Sequence, residues 1–177
     1  DIIGEGSAGF GIELAGAFDA KINAQSITGF SKNISTRKVE AGDALTIVGG
    51  DPFDYAPSIG QRSNNFDINV GRLGGNFEAG GVGVTPPTST TSSDYGFHHT
   101  AGFGGKIFAN IEYCVKTVDS VGMYLGANTT GCVAEIYFES NNKRHLECYG
   151  KSHTIKVLGS GTNREIKEEY KLHGINN

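Results

Sequence analysis

The amino-acid sequence predicts an all-β protein, an antiparallel β-sandwich or barrel, and three observations support this fold class. Apolar and polar residues alternate along several segments, as they do in strands with one buried face. Turn-forming residues separate these segments at intervals of roughly 8–15 residues. No segment carries the longer apolar period of an extended amphipathic helix. The 177 residues also include 27 Gly, 10 Phe and 7 Tyr, which supply tight turns and rings for a core.

The N-terminal half, residues 1–84, is rich in glycine and contains three predicted strands. The segment from Ile12 to Ala24 alternates throughout, which predicts one long strand or two strands joined at a bulge near Gly16. Two shorter strands are predicted at residues 44–48 and 66–70 for the same reason.

A Ser/Thr/Pro-rich segment, residues 85–94, lies between the two halves of the chain. It has no apolar side chain other than proline, so it can bury little surface and is expected to form an exposed loop or linker. Residues 95–177 then form a second, β-meander half. Both halves could equally pack into one compact domain.

The C-terminal half predicts a five-strand antiparallel meander from Lys106 to Leu172. Its centre is the segment Gly131–Gly150, which reads as a β-hairpin around Asn141 and Asn142. A three-residue loop there would pair Phe138 with Leu146 and put the apolar residues of both strands on one face. A register shifted by one residue would mix apolar and charged side chains, so the first register is favoured.

Three cysteines predict one intrachain disulfide, which would indicate an oxidising compartment. The hairpin register separates Cys132 from Cys148 by more than a disulfide can span, so Cys114 is expected to pair with one of them. The favoured bridge is Cys114–Cys132. The third thiol would then be free or would link two copies in a homodimer, although a homodimer could also be non-covalent.

Composition and charge exclude several classes of function. The net charge of -4 carries no basic stripe, so no nucleic-acid partner is predicted. The histidines and cysteines lack the spacing of a zinc site, so no metal or other cofactor is predicted. No catalytic residue is predicted either, because the cluster of Glu139, Arg144 and His145 at the hairpin tip is better explained as a solvated charge patch.

Two segments combine rings with short polar groups on expected loops, where binding sites usually lie. The candidate binding residues in them are Asp51, Asp54, Tyr55, Tyr95, His98 and His99. The sequons at Asn33 and Asn128 are candidate glycosylation sites, and a chain that begins at Asp1 fits removal of a leader.

The function expected from these features is that of a secreted recognition module without catalysis. It would be lectin-like, adhesive or a host-directed effector, and its partner would be a glycan or a cell-surface protein. The alternative is a pore-forming toxin that inserts an amphipathic β segment such as Ile12–Ala24 into a membrane. A small secreted hydrolase or nuclease comes third.

Overall fold

The computed structural model describes residues 1–43, 59–75, 92–139, 144–161 and 170–172. Within these ranges the chain forms ten β-strands and no helix. The strands are β1 (Ile2–Ala15), β2 (Lys21–Arg37), β3 (Asp67–Gly74), β4 (Tyr95–Phe103), β5 (Lys106–Glu112), β6 (Val121–Thr130), β7 (Val133–Glu139), β8 (Arg144–Cys148), β9 (Thr154–Gly161) and β10 (Tyr170–Leu172).

The strands pair in parallel, so the expected antiparallel sandwich or barrel is wrong although the all-β class is right. Alternate strands are neighbours, in the order β10-β8-β6-β4-β2-β3-β5-β7-β9. β1 lies outside this order and pairs with β2. The long β2 pairs with β3 through Lys21–Thr28 and with β4 through Lys32–Thr36. The result is one curled sheet, a half-barrel.

The curled sheet has two limbs, to which successive circuits of the chain add strands alternately. The first limb contains the start of β2 followed by β3, β5, β7 and β9, and the second contains the end of β2 followed by β4, β6, β8 and β10. Strands from residues 1–84 and from residues 95–177 therefore lie in the same sheet.

Parallel pairing aligns apolar side chains from successive circuits into columns that form the core. In the first limb one register position is occupied by Ile22, Ile68, Ile107, Ala134 and Ile155. In the second limb the matching core position holds Ile34, Phe97, Met123 and Leu146. The limbs face each other, because the Phe66 ring before β3 lies 5.7 Å from the Phe97 ring on β4. Apolar burial between the limbs thus stabilises the stack.

The five-strand meander and its hairpin are wrong in direction and partner. Within the described residues strands lie at the predicted positions, but β7 pairs with β5 and β9, whereas β8 pairs with β6 and β10. The predicted loop at Asn141 and Asn142 lies outside the described residues. Phe138 is opposite Ile111 and Ser160, and Leu146 is opposite Met123 and Tyr170. Burial alternates along β7, a pattern that parallel and antiparallel neighbours share, whereas all five residues of β8 are buried.

The segment from Ile12 to Ala24 forms two strands, the second of the two predicted arrangements, and not one long strand. It is divided between β1 and β2 by a corner at Gly16, where φ is 64°. Ile12, Leu14, Ile22 and Ala24 pack against the core. The predicted strand at residues 44–48 and residues 85–91 of the predicted loop lie outside the described residues. The end of that loop is not exposed, because Ser92 and Ser93 are both buried.

The expected disulfide is wrong, because Cys114, Cys132 and Cys148 are all buried as thiols and form no disulfide. Each thiol packs into the apolar core. Burial raises the pKa of all three, that of Cys132 to about 12, so the reactive thiolate is strongly disfavoured.

Two histidines, one in the core and one at its edge, are held neutral. His99 is 0% exposed beside the rings of Phe66 and Phe97, and burial lowers its pKa to about 3. His153 is half-buried, and desolvation also lowers its pKa. Its Nδ1 accepts a hydrogen bond of 3.0 Å from the Cys132 amide, and its Nε2–H can donate to Thr129 Oγ1, at 3.1 Å. Protonation of His99 would place a charge in the core.

No helix in the described part of the chain is long and apolar enough to span a membrane.

We predict that Gly102→Ala destabilises the fold more than Gly9→Ala. Both glycines have a φ that L-residues rarely adopt, +155° and +141°, so each substitution costs backbone strain of about 1–3 kcal/mol. A Cβ at Gly102 would lie 1.9 Å from the Ser63 carbonyl oxygen, whereas a Cβ at Gly9 meets nothing within 4 Å. Urea unfolding should show an additional loss of about 1–3 kcal/mol for Gly102→Ala. Equal losses would contradict this packing.

We predict that all three thiols resist modification in the folded protein. A thiol reagent should add no label under native conditions at neutral pH and three labels in denaturant without a reductant, counted by intact mass. Fewer than three labels in the denaturant would reveal a disulfide and contradict the structure.

We predict that stability falls as pH decreases from 7.5 to 5, because His98, His99 and His153 have pKa values lowered from 6.5. Below pH 6.5 the unfolded chain takes up protons that the folded chain excludes, so the stabilisation present above pH 6.5 is progressively lost. For His99 this loss is on the order of 2 kcal/mol at pH 5. His99→Leu should reduce the pH dependence of the urea midpoint. An unchanged pH dependence in this variant would contradict the assignment.

Candidate functional site

The outer surface of the second limb carries a row of aromatic side chains. On β6, Met123 and Leu125 point into the core and are fully buried, so Tyr124 between them points outwards. His98 on β4 occupies the same register position, and Phe97 and His99 on either side of it are buried. Tyr95 and Tyr149 lie beside this column. We call Tyr95, His98, Tyr124 and Tyr149 the aromatic face.

The rings of the aromatic face contact one another in sequence across three circuits of the chain. The His98 and Tyr124 rings stack with centroids 5.1 Å apart and planes inclined by 22°. Tyr95 lies 4.5 Å from His98, and Tyr149 lies 5.8 Å from Tyr124. These spacings are close to the separation of neighbouring strands, about 4.8 Å, which shows that the sheet sets the arrangement of the rings. All four side chains are half-buried and present part of their surface to solvent.

The aromatic face is uncharged at neutral pH. Burial, and secondarily the charge of Lys32, lowers the pKa of His98 to about 4, so its imidazole is neutral. Burial raises the pKa of Tyr95 and Tyr124, and a hydrogen bond to Glu147 raises that of Tyr149 to about 12. The surface therefore offers ring faces and hydrogen-bonding hydroxyls without a net charge.

A buried ion pair supports one end of the aromatic face. Glu147 Oε1 accepts a hydrogen bond from the Tyr149 hydroxyl and lies 2.7 Å from Arg144 Nη1. Both charged residues are buried, so the pair fixes the position of Tyr149 rather than offering a charge to a ligand.

A cavity of about 350 Å³ adjoins the other end of the aromatic face, and we call it the end pocket. His98 belongs to both sites. The pocket is also lined by Phe10 on β1, Lys32 and Ser35 on β2, and Asn128 on β6. Phe10 is 42% exposed, a large value for an aromatic residue, and the Ser35 hydroxyl lies 3.5 Å from His98 Nδ1. The pocket therefore combines an open ring with several hydrogen-bonding groups.

The outer surface of the first limb differs in character. Its cavity, also about 350 Å³, surrounds Phe108, which is 49% exposed, with Asp67, Lys106 and Glu135. Phe108 is the only aromatic residue in the described lining of this cavity, whereas the second limb carries four rings in contact with one another. We therefore place the candidate site on the second limb.

The structure brings two of the six predicted binding residues together, Tyr95 and His98. His99 is next to them in sequence but lies in the core, since adjacent residues of a strand point to opposite faces. Asp51, Asp54 and Tyr55 lie outside the described residues.

The two sequons differ in exposure. Asn33 is fully buried, and its Nδ2 donates hydrogen bonds to Ser93 Oγ and the Tyr95 carbonyl, so this amide is not accessible to a glycan in the folded chain. Asn128 is exposed at the rim of the end pocket.

Four residues of the candidate site were not identified from the sequence: Tyr124, Tyr149, Phe10 and Lys32. Each is an isolated ring or charge in its own segment. Only the parallel register, which places Phe10 opposite Lys32 and His98 opposite Tyr124, shows that they are neighbours.

The described residues contain no group of three or more His, Cys, Asp or Glu side chains arranged to hold a metal ion. The trio at the predicted hairpin tip is split between the limbs, with Glu139 on β7 and both Arg144 and His145 buried on β8.

The chain was compared with models of protein families, with curated proteins and with solved structures, and none of the three comparisons finds a match.

Proposed function

We propose that the chain is a recognition module that binds a saccharide on the aromatic face of its second limb, without catalysis. The observation that carries this proposal is the continuous row of uncharged rings from Tyr95 through His98 and Tyr124 to Tyr149, with centroids 4.5–5.8 Å apart. The row spans three circuits of a rigid sheet, so a ligand lying along it would meet a preformed surface.

The chemistry of a sugar matches this surface. A pyranose ring presents C–H bonds on its faces and hydroxyls around its rim, so its face packs on an aromatic ring while its rim hydrogen-bonds to polar neighbours. Tyr hydroxyls and the neutral His98 imidazole can each donate or accept such bonds. Because the rings carry no charge, binding loses little to desolvation of ions.

The same row of rings also stabilises the sheet, since aromatic neighbours on one face favour strand pairing. Half-burial of all four rings fits this structural role. Binding and stability must therefore be measured separately for each variant.

An extracellular location is part of this proposal and rests on the sequence alone. The three buried cysteines form no disulfide, so they do not indicate an oxidising compartment. Saccharide binding by the aromatic face does not depend on the compartment.

We predict that Tyr124→Ala weakens saccharide binding by about tenfold or more, because Tyr124 is the central ring of the row. The matched control is Tyr137→Ala, which removes a half-buried tyrosine from the outer surface of the first limb. A glycan array would identify a neutral ligand, and isothermal titration calorimetry would then give the dissociation constants.

The two variants must first be shown to unfold cooperatively in urea. A larger loss of affinity in Tyr124→Ala than in Tyr137→Ala supports the proposal. Equal affinities in the wild type and Tyr124→Ala, or a chain that binds no glycan on the array, would overturn it. Selective retention of a protein partner by the wild type and not by Tyr124→Ala would instead assign the face to protein recognition.

A further inference from the structure

Three cations line the end pocket: Lys32 and Arg37 on β2, and the exposed Lys38 directly after it. The two cations on β2 differ in their partners. The Arg37 guanidinium is fully engaged, since it donates to both carboxylate oxygens of Glu13, at 2.9 and 3.1 Å, and to both oxygens of Asp43, at 2.7 and 2.9 Å. These bonds raise the pKa of Arg37 and lower that of Asp43 to about 2. Arg37 therefore holds the wall of the pocket and has no hydrogen-bonding capacity left for a ligand.

Lys32 differs, because it forms no ion pair with any residue in the described ranges. Its ammonium group lies 5.0 Å from the centroid of the Phe10 ring. A partly exposed contact between a cation and a ring contributes about 0.5–1 kcal/mol, less than a charge-assisted hydrogen bond to an anion. The ammonium group thus retains donors for an anionic ligand.

The charge of Lys32 acts on the pocket and on the adjoining aromatic face. It is one of the two causes that lower the pKa of His98, so its electric field reaches the residue that joins the two sites. Ser35, Thr100 and Asn128 add neutral hydrogen-bonding groups to the same walls. A ligand on the aromatic face can therefore extend into a pocket where the Lys32 ammonium lies next to the residue that the two sites share.

The charges around the pocket limit the anion that fits. Three cations line it, Lys32, Arg37 and Lys38, together with two carboxylates, Glu13 and Glu40, so the lining carries a net charge of +1. A singly charged anion matches this net charge better than a doubly charged phosphate does. On a sugar, such a group is the carboxylate of a uronic acid or a sulfate ester.

We propose that the end pocket binds a singly charged acidic sugar unit, with Lys32 pairing with its anionic group and Phe10 packing on its ring. This inference rests on the proposed function, because the acidic unit would continue a saccharide that lies on the aromatic face. Lys32 supplies charge selectivity, while the aromatic face supplies binding that neutral and acidic saccharides share.

The test compares an oligouronate with its methyl ester, which has the same linkages but no charge. Isothermal titration calorimetry at low salt should show that the wild type binds the oligouronate about fivefold more tightly than the ester, the upper range for a partly exposed ion pair. Lys32→Met should reduce this ratio to about one. The matched control Lys106→Met, on the outer surface of the first limb, should retain it.

A second measurement guards against a Lys32→Met variant that does not fold. Added sodium chloride should reduce the ratio for the wild type towards one, since salt screens the ion pair and not the packing on the rings. A sulfated oligosaccharide of the same length serves as a further arm. Lys32-dependent preference for it, with no preference for the oligouronate, would assign the anion as a sulfate ester.

The outcomes separate this inference from the proposed function. A ratio near one in the wild type for both acidic ligands, with Tyr124-dependent binding of the ester, overturns the acidic-sugar inference and leaves the proposed function standing. A ratio that Lys32→Met does not change also overturns it. Failure of every saccharide to bind the wild type overturns both.

Discussion

The parallel hydrogen-bonded register is the constraint on which the rest of the structure depends. It places residues from successive circuits of the chain opposite one another, about 4.8 Å apart, although they are distant in sequence. Side-chain direction then follows from alternation along each strand. A register position that points inwards in one circuit points inwards in the next, as Ile34, Phe97, Met123 and Leu146 show. The same rule gives the outer surface its columns, so core and candidate site have a common origin.

The sequence predicts most of the strands in the C-terminal half but not the direction in which they pair. Alternation reports only that one face of a strand is buried, and it is commonly taken as evidence for antiparallel sheets because most parallel sheets are buried on both faces. Here β5 and β7 of the first limb bury one face and leave the other partly exposed, although the strands are parallel. Segments such as β7 and β8, which are adjacent in sequence, resemble a hairpin while each belongs to a different limb. The expected disulfide came from the number of cysteines, and the hairpin register entered only in the choice of Cys114–Cys132 as the favoured pair.

Prediction of the candidate site was limited by the same missing information. Tyr95 and His98 were identified because they lie close together in a segment that combines aromatic rings with short polar groups. His99 shares that neighbourhood and yet faces the core, which alternation would have indicated had the segment been assigned to a strand. Tyr124 and Tyr149 come from later circuits and have no distinguishing context of their own. They are spatial neighbours of His98 only because of the parallel register.

The end pocket follows from the order of side-chain sizes along one outer column. In sequence order of circuits this column holds Glu13, Ser35, His98, Tyr124 and Glu147. The small Ser35 lies between Glu13 and the two adjacent rings of His98 and Tyr124. A small side chain between larger neighbours leaves a recess on the sheet surface. The Glu13–Arg37 pair closes the far side of that recess, while Phe10 and Lys32 project at its rim. A surface that would otherwise be a uniform row of rings therefore ends in a pocket of different chemistry. The two ends of the aromatic face therefore differ in chemistry. A ligand with one acidic end would bind in a single orientation.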